Sequence, residues 1–161
     1  GTINNKNVDI RVRIDSQKHT ELILKVGDFH SHNRTETTQK IQADQFMGLV
    51  HVFSEFGFST KVMRRKTKRL FSEKEGYEVA LVDADKIAYV EIEKILDTSD
   101  EALISQEKNN LEKIMFSAGM TPINKEQFDN LCDRLTKEVD WVFNGSNADY
   151  LKLESELSDF L

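Results

Sequence analysis

The chain has 161 residues, 39% of them hydrophobic and 31% charged, which suits one domain with a packed core and excludes wholesale disorder. A single cysteine excludes a disulfide framework and a multi-cysteine zinc site, and it fits a reducing compartment. Apolar runs such as residues 79–82 fall far short of the roughly 20 residues a membrane helix needs. No charged-then-apolar leader opens the chain, so a soluble, cytoplasmic protein without membrane contact is expected. The net charge of -6 conceals a division: residues 1–71 carry 13 Lys/Arg against 7 Asp/Glu, and residues 72–161 carry 9 against 21. A basic half in an acidic chain suggests an anionic ligand held at one place, although on this fact alone ordinary solvated charge is the better explanation.

Alternation dominates the first half. Val8, Ile10, Val12 and Ile14 share one face of a strand over residues 8–14, with Asp9, Arg11 and Arg13 on the other. Residues 20–26 repeat the pattern, ending in Lys25 before Gly27, and residues 34–41 form a third, Thr-rich strand. Over 43–56 the period changes: Phe46, Leu49, Val50 and Phe53 recur at helical spacing, with Gly57 as the cap. Three further strands are predicted over 60–71, 77–82 and 87–95, the last two joined by Asp83-Ala84-Asp85-Lys86 as a tight turn.

From residue 98 the pattern is helical. Thr98-Ser99-Asp100-Glu101 caps a helix running to Ala118 and ended by Gly119. A second helix opens at Pro122 and Asn124 and carries Phe128, Leu131, Leu135, Val139 and Val142 on one stripe as far as Asn144-Gly145. Ser146-Asn147-Ala148 reads as the remnant of a cleaved tag. Beyond it the period is ambiguous: Leu151, Leu153 and Leu157 alternate as in a strand, while Tyr150, Leu153, Leu157 and Phe160 share a helical face.

The polar faces of the strands carry the chemistry. Arg11 with Arg13, Lys25, Arg34 with Glu36, then Arg64, Lys66 and Lys68, and finally Glu91 with Glu93 each point one way on their strands, with the signs sorted between strands. Lining a closed barrel, the cations would hold phosphate oxygens, and the paired carboxylates would suit Mg²⁺ or Mn²⁺. Arg65 and Arg69 have the opposite parity and are expected outside.

In order and spacing, residues 8–14, Glu21-Leu22-Ile23-Leu24-Lys25, Arg34-Thr35-Glu36, Lys66-Thr67-Lys68 with Phe71, and Val90-Glu91-Ile92-Glu93 resemble the CYTH domain of the triphosphate tunnel metalloenzymes. The resemblance covers roughly residues 8–95. It implies an α+β fold, an antiparallel β-barrel forming a triphosphate tunnel with flanking helices, in one domain over residues 1–161: a tunnel core at 8–95, a helical part at 98–143, and a closing strand at 149–161. The family's opening Glu-x-Glu-x-Lys strand is absent upstream of Val8; Glu154 and Glu156 match its first part, with Ser158 where the Lys should stand. The order is therefore read as circularly permuted, with Lys152 as a partial substitute for that Lys.

The implied function is divalent-metal-dependent hydrolysis of inorganic triphosphate or of a nucleoside or thiamine triphosphate. Glu91, Glu93, Glu154, Glu156 and Glu36 would hold Mg²⁺ or Mn²⁺. Glu91, Glu93 and Lys66 would act in catalysis, and Arg11, Arg13, Lys25, Arg34, Lys66 and Lys68 would grip the phosphates. A class IV-type adenylyl cyclase would use the same grip. A silent binder of a triphosphate, a polyphosphate or an RNA 5′-triphosphate end is the alternative from another class, and an exterior helix at 149–161 would favour it. Nucleic acid enters only through such an end, since the basic run at 64–69 lacks interleaved aromatics. Asp28, His30 and His32 read as a solvated loop, and Cys132, Trp141 and Phe143 as core.

Overall fold

The computed structural model describes residues 2–27, 34–57, 60–72 and 76–161. Asp28, His30 and His32 lie outside them. The fold is mixed α+β with antiparallel sheets: among the described residues nine strands form sheets of four, two and three strands, none closed on itself, and four α-helices accompany them. The chain divides into two compact units, residues 1–62 with 142–161, and residues 63–141.

The first unit is built on a meander. A short strand β1 (Thr2–Ile3) turns through Asn4 and Asn5, both at positive φ (50° and 60°), into β2 (Lys6–Ile14). Asparagine tolerates the left-handed region that a two-residue hairpin requires. The Asp15 carboxylate then accepts from the backbone N–H of Gln17 (2.8 Å) and His19 (3.0 Å), turning the chain into β3 (Thr20–Val26). β4 (Thr35–Ile41) completes the sheet in the order β1-β2-β3-β4. A 3-10 turn at Ala43–Gln45 leads into α1 (Phe46–Ser54), which lies against β2. β5 (Thr60–Val62) pairs with β9 (Trp141–Phe143).

The C-terminal segment is α4 (Asn147–Leu157), not a closing strand. Ser146 is its N-cap: the hydroxyl accepts from Asp149 N–H (3.2 Å), while the Asp149 carboxylate accepts from Ser146 N–H (3.2 Å) and Asn144 N–H (2.9 Å). Ser146-Asn147-Ala148 is thus a helix start. Tyr150 stacks on His51 (3.9 Å between centroids), meets Phe143 edge-on (5.0 Å), and shares a 2.7 Å hydrogen bond with the Ser54 hydroxyl. Leu153, one turn on, is buried, whereas Leu151 is exposed. The helical face won because the aromatic partners of Tyr150 and the burial of Leu153 fall on one side of the helix.

In the second unit β6 (Lys66–Ser72), β7 (Tyr77–Asp83) and β8 (Ala88–Glu93) form an antiparallel sheet. The strand expected over 60–71 is thus two strands, interrupted at 63–65. The β7–β8 turn falls at 84–87 as its residues suggest: Asp83 Oδ1 accepts from Asp85 N–H (2.9 Å), and Asp85 adopts φ +68°. α2 (Glu101–Ser117) starts on the Asp100 carboxylate and stops at Gly119, whose φ of +75° suits a residue without Cβ. α3 (Lys125–Glu138) starts on a reciprocal Asn124–Gln127 capping box. It ends earlier than its stripe implies: Val142 is exposed in β9 rather than on the helix. Ala84, Ile87 and Leu135 form a buried cluster against which Tyr89, Leu131 and Val139 pack, so the tight turn contributes to the core.

Candidate functional site

Opposing residues of an antiparallel ladder project to the same face, so the pairing register decides which charges meet. In the first sheet the rungs are Asp9–Lys25–Glu36, Arg11–Ile23–Thr38 and Arg13–Glu21–Lys40. Arg34 reaches the first rung, with its guanidinium 3.8 Å from the Asp9 carboxylate. The predicted Arg11, Arg13, Lys25, Arg34 and Glu36 therefore do share one sheet face. Alternation within each strand found them; Glu21 and Lys40 were missed as partners because only the cross-strand register brings them in.

Arg11, Arg13, Lys25 and Arg34 are each paired with a carboxylate of this face. Arg11 donates to Asp9 Oδ2 through Nε (3.0 Å) and Nη2 (2.6 Å), Lys25 Nζ is 2.6 Å from Glu36 Oε2, and Arg13 Nη2 is 2.5 Å from Glu21 Oε2. The face is poorly hydrated around Asp9, Arg34 and Ile23 and open elsewhere, with β4 exposed from Thr35 to Lys40. The Asp9 and Arg34 side chains are each 15% exposed, and Ile23, which shares the face, is 3% exposed. Burial raises the Asp9 pKa, but the Arg11 hydrogen bond and the charges of Arg11, Arg34 and Lys25 outweigh it and hold the carboxyl below its ordinary value. For Glu36 burial is again outweighed, by the Lys25 bond and charge with help from Thr38, and the net shift is downward. Arg34 shifts downward because burial, reinforced by the nearby Arg11, exceeds the attraction of Asp9 and Glu36.

A pH dependence follows. Carboxyls whose folded pKa lies below the unfolded value stabilise the fold above the unfolded pKa, about 3.9 for Asp. That contribution falls away as pH drops through the lower folded value. Thermal melting from pH 6 down to pH 2.5 is expected to show a loss of Tm beginning near pH 4, with a smaller loss in Asp9→Asn.

The second sheet sorts its charges differently from the sequence expectation. Lys66 faces Asp83 and Lys68 faces Leu81, and the same face continues on β8 as Ala88 and Val90. Glu91 faces Ala80 and then Arg69, while Glu93 faces Glu78 and then Phe71. Lys66 and Lys68 thus lie on the opposite sheet face from Glu91 and Glu93, so the expected catalytic grouping of Lys66 with the two glutamates is not formed. Arg69, expected outside, shares the carboxylate face: its guanidinium is paired with Glu78 and lies 3.5 Å from Glu93. Burial works against the charged Arg69, but the bond to Glu78 and the charges of Glu78, Glu93 and Glu91 raise its pKa overall. Arg65, also expected outside, is bonded to the buried Asp140 at 2.7 Å.

These geometries bear on the expected Mg²⁺ or Mn²⁺. Glu154 and Glu156 sit two apart on α4, where successive positions turn by about 100°, so their carboxylates diverge. Glu36 is taken by Lys25, and Arg69 reaches Glu93. Among the described residues no group of three His, Cys, Asp or Glu side chains is arranged to hold a metal ion. Glu36, Glu154 and Glu156 belong to the first unit and Glu91 and Glu93 to the second, so neither unit holds the expected set by itself.

No family model, curated protein or solved structure matches the chain. Among the described residues, no helix is long and apolar enough to cross a membrane.

Proposed function

We propose that the charged face of the β2–β3–β4 sheet binds a compact polyphosphate, with inorganic triphosphate or the triphosphate end of a larger molecule as the ligand class, and that it does so without hydrolysing it. The observation that carries this reading is the convergence of Arg11, Arg13, Lys25 and Arg34 on one sheet face. Guanidinium forks offer paired donors to phosphate oxygens, and low hydration strengthens the contact at Arg34, whose side chain is 15% exposed. Five cations, counting Lys40, stand there against Asp9, Glu21 and Glu36, so the face keeps a positive excess for an anion. Hydrolysis ranks behind binding because Glu154 and Glu156 diverge on a helix, where the expected closing strand would have paired them.

Calorimetric titration of inorganic triphosphate tests the proposal. Wild-type protein is expected to bind, and Arg11→Ala to bind about tenfold or more weakly, in line with roughly 1.5–3 kcal/mol for a hydrogen bond to a charged group. Lys137→Ala, which removes an exposed lysine on α3, is expected to bind as wild type does. Equal losses in both variants, or no binding by wild type, would reject the site. Phosphate release that requires Mg²⁺ or Mn²⁺ and disappears with EDTA and in Glu91→Gln would replace silent binding with hydrolysis.

A further inference from the structure

The position between Arg11 and Arg34 is taken by a side chain of the protein itself. A single oxygen, Asp9 Oδ2, accepts both the Nε and the Nη2 hydrogens of Arg11 and stands 3.8 Å from the Arg34 guanidinium. A phosphate oxygen takes this same position between two guanidinium groups. Lys25, directly across from Asp9, is bound by Glu36, so the neighbouring cation supplies charge there but not its closest contact. The remaining ion pair of the face lies apart: Arg13–Glu21 is two rungs away, and its arginine side chain is 52% exposed.

Resting on the polyphosphate reading, we infer that Asp9 is a built-in competitor for the anion: its carboxylate occupies the phosphate position between Arg11 and Arg34 and sets the affinity of the face for its ligand. An incoming phosphate must displace this carboxylate from Arg11, and the displaced charge then stays close to the ligand in a poorly hydrated setting. The cost therefore grows with the negative charge of the ligand. A purely structural Asp9, one that only holds Arg11 in its productive rotamer, has the opposite effect: its removal loosens Arg11 and weakens every anion alike.

The experiment is titration of wild type, Asp9→Asn and Asp9→Ser with inorganic triphosphate and with orthophosphate at fixed salt, with melting curves to establish folding. Asparagine keeps the shape and one acceptor oxygen but removes the charge; serine removes the charge and shortens the side chain to a hydroxyl. Either variant that folds is expected to bind triphosphate about tenfold more tightly, with a clearly smaller gain for orthophosphate. Unchanged or weaker triphosphate binding, or an equal gain for both anions, overturns the inference. Failure of the wider reading looks different. Binding by wild type that is lost in Arg11→Ala, with no gain at Asp9, sinks the competitor alone; absence of binding by every form sinks the competitor and the polyphosphate site together.

Discussion

Asp140→Ala is expected to cost about 3–5 kcal/mol of stability, among the largest single effects in the chain, because it strips the counter-charge from a largely buried arginine. The Asp140 side chain is 1% exposed and that of Arg65 16%. Arg65 Nη1 donates to Asp140 at 2.7 Å and to the carbonyl of Arg64 at 2.9 Å. Burial disfavours the guanidinium charge, yet the bond and charge of Asp140, followed by those of Tyr89, raise the Arg65 pKa above its ordinary value. Without Asp140 the burial penalty loses its main offset and keeps only the lesser help of Tyr89 and the Arg64 carbonyl, in the unit that also contains the Ala84–Ile87–Leu135 cluster. Arg134→Ala is the comparison: its partner Glu138 lies on the exposed surface of α3, and pairs of that kind contribute about 0–1 kcal/mol. Urea denaturation of both variants checks the difference, and similar midpoints would show that Arg65 keeps its solvation without its partner.

The Arg65–Asp140 pair also marks where reading the sequence stops. Alternation is a property of one strand, so it correctly grouped Arg11 with Arg13 and put Asp9 beside them. It carries no information about which strand lies alongside, or in which register. In the first sheet this did little harm, because β2, β3 and β4 follow one another and pair as a simple meander. In the second sheet it mattered: the register sets Arg69 level with Glu91 across Ala80, while Lys66 and Lys68 fall on the other face. Asp140 is 75 residues from Arg65, and no local pattern links them. The short strands β1 and β9, of two and three residues, are below the length at which any period can be read. Helix starts, by contrast, were legible at Asp100 and Asn124, because capping is decided within four residues.

Residues 147–157 give the last expected result, because their two periods assign opposite fates to a pair of leucines. In a strand Leu151 and Leu153 point the same way, and trimming either one costs about the same. On α4 they are about 200° apart: Leu153 is 4% exposed and follows Tyr150, whose ring is held by His51, Phe143 and the Ser54 hydroxyl, whereas Leu151 is 67% exposed. Leu153→Ala is therefore expected to lose about 2–5 kcal/mol through lost burial and the cavity left behind. Leu151→Ala should stay within about 0.5 kcal/mol of wild type, as most exposed substitutions do, and alanine's higher helix propensity offsets part of even that. Chemical denaturation of the two variants measures the gap, and comparable losses would return this segment to the strand period. The contrast also bears on the ligand: a stable α4 keeps Glu154 and Glu156 on diverging directions, so Glu154→Gln and Glu156→Gln should leave triphosphate affinity unchanged while Arg11→Ala reduces it.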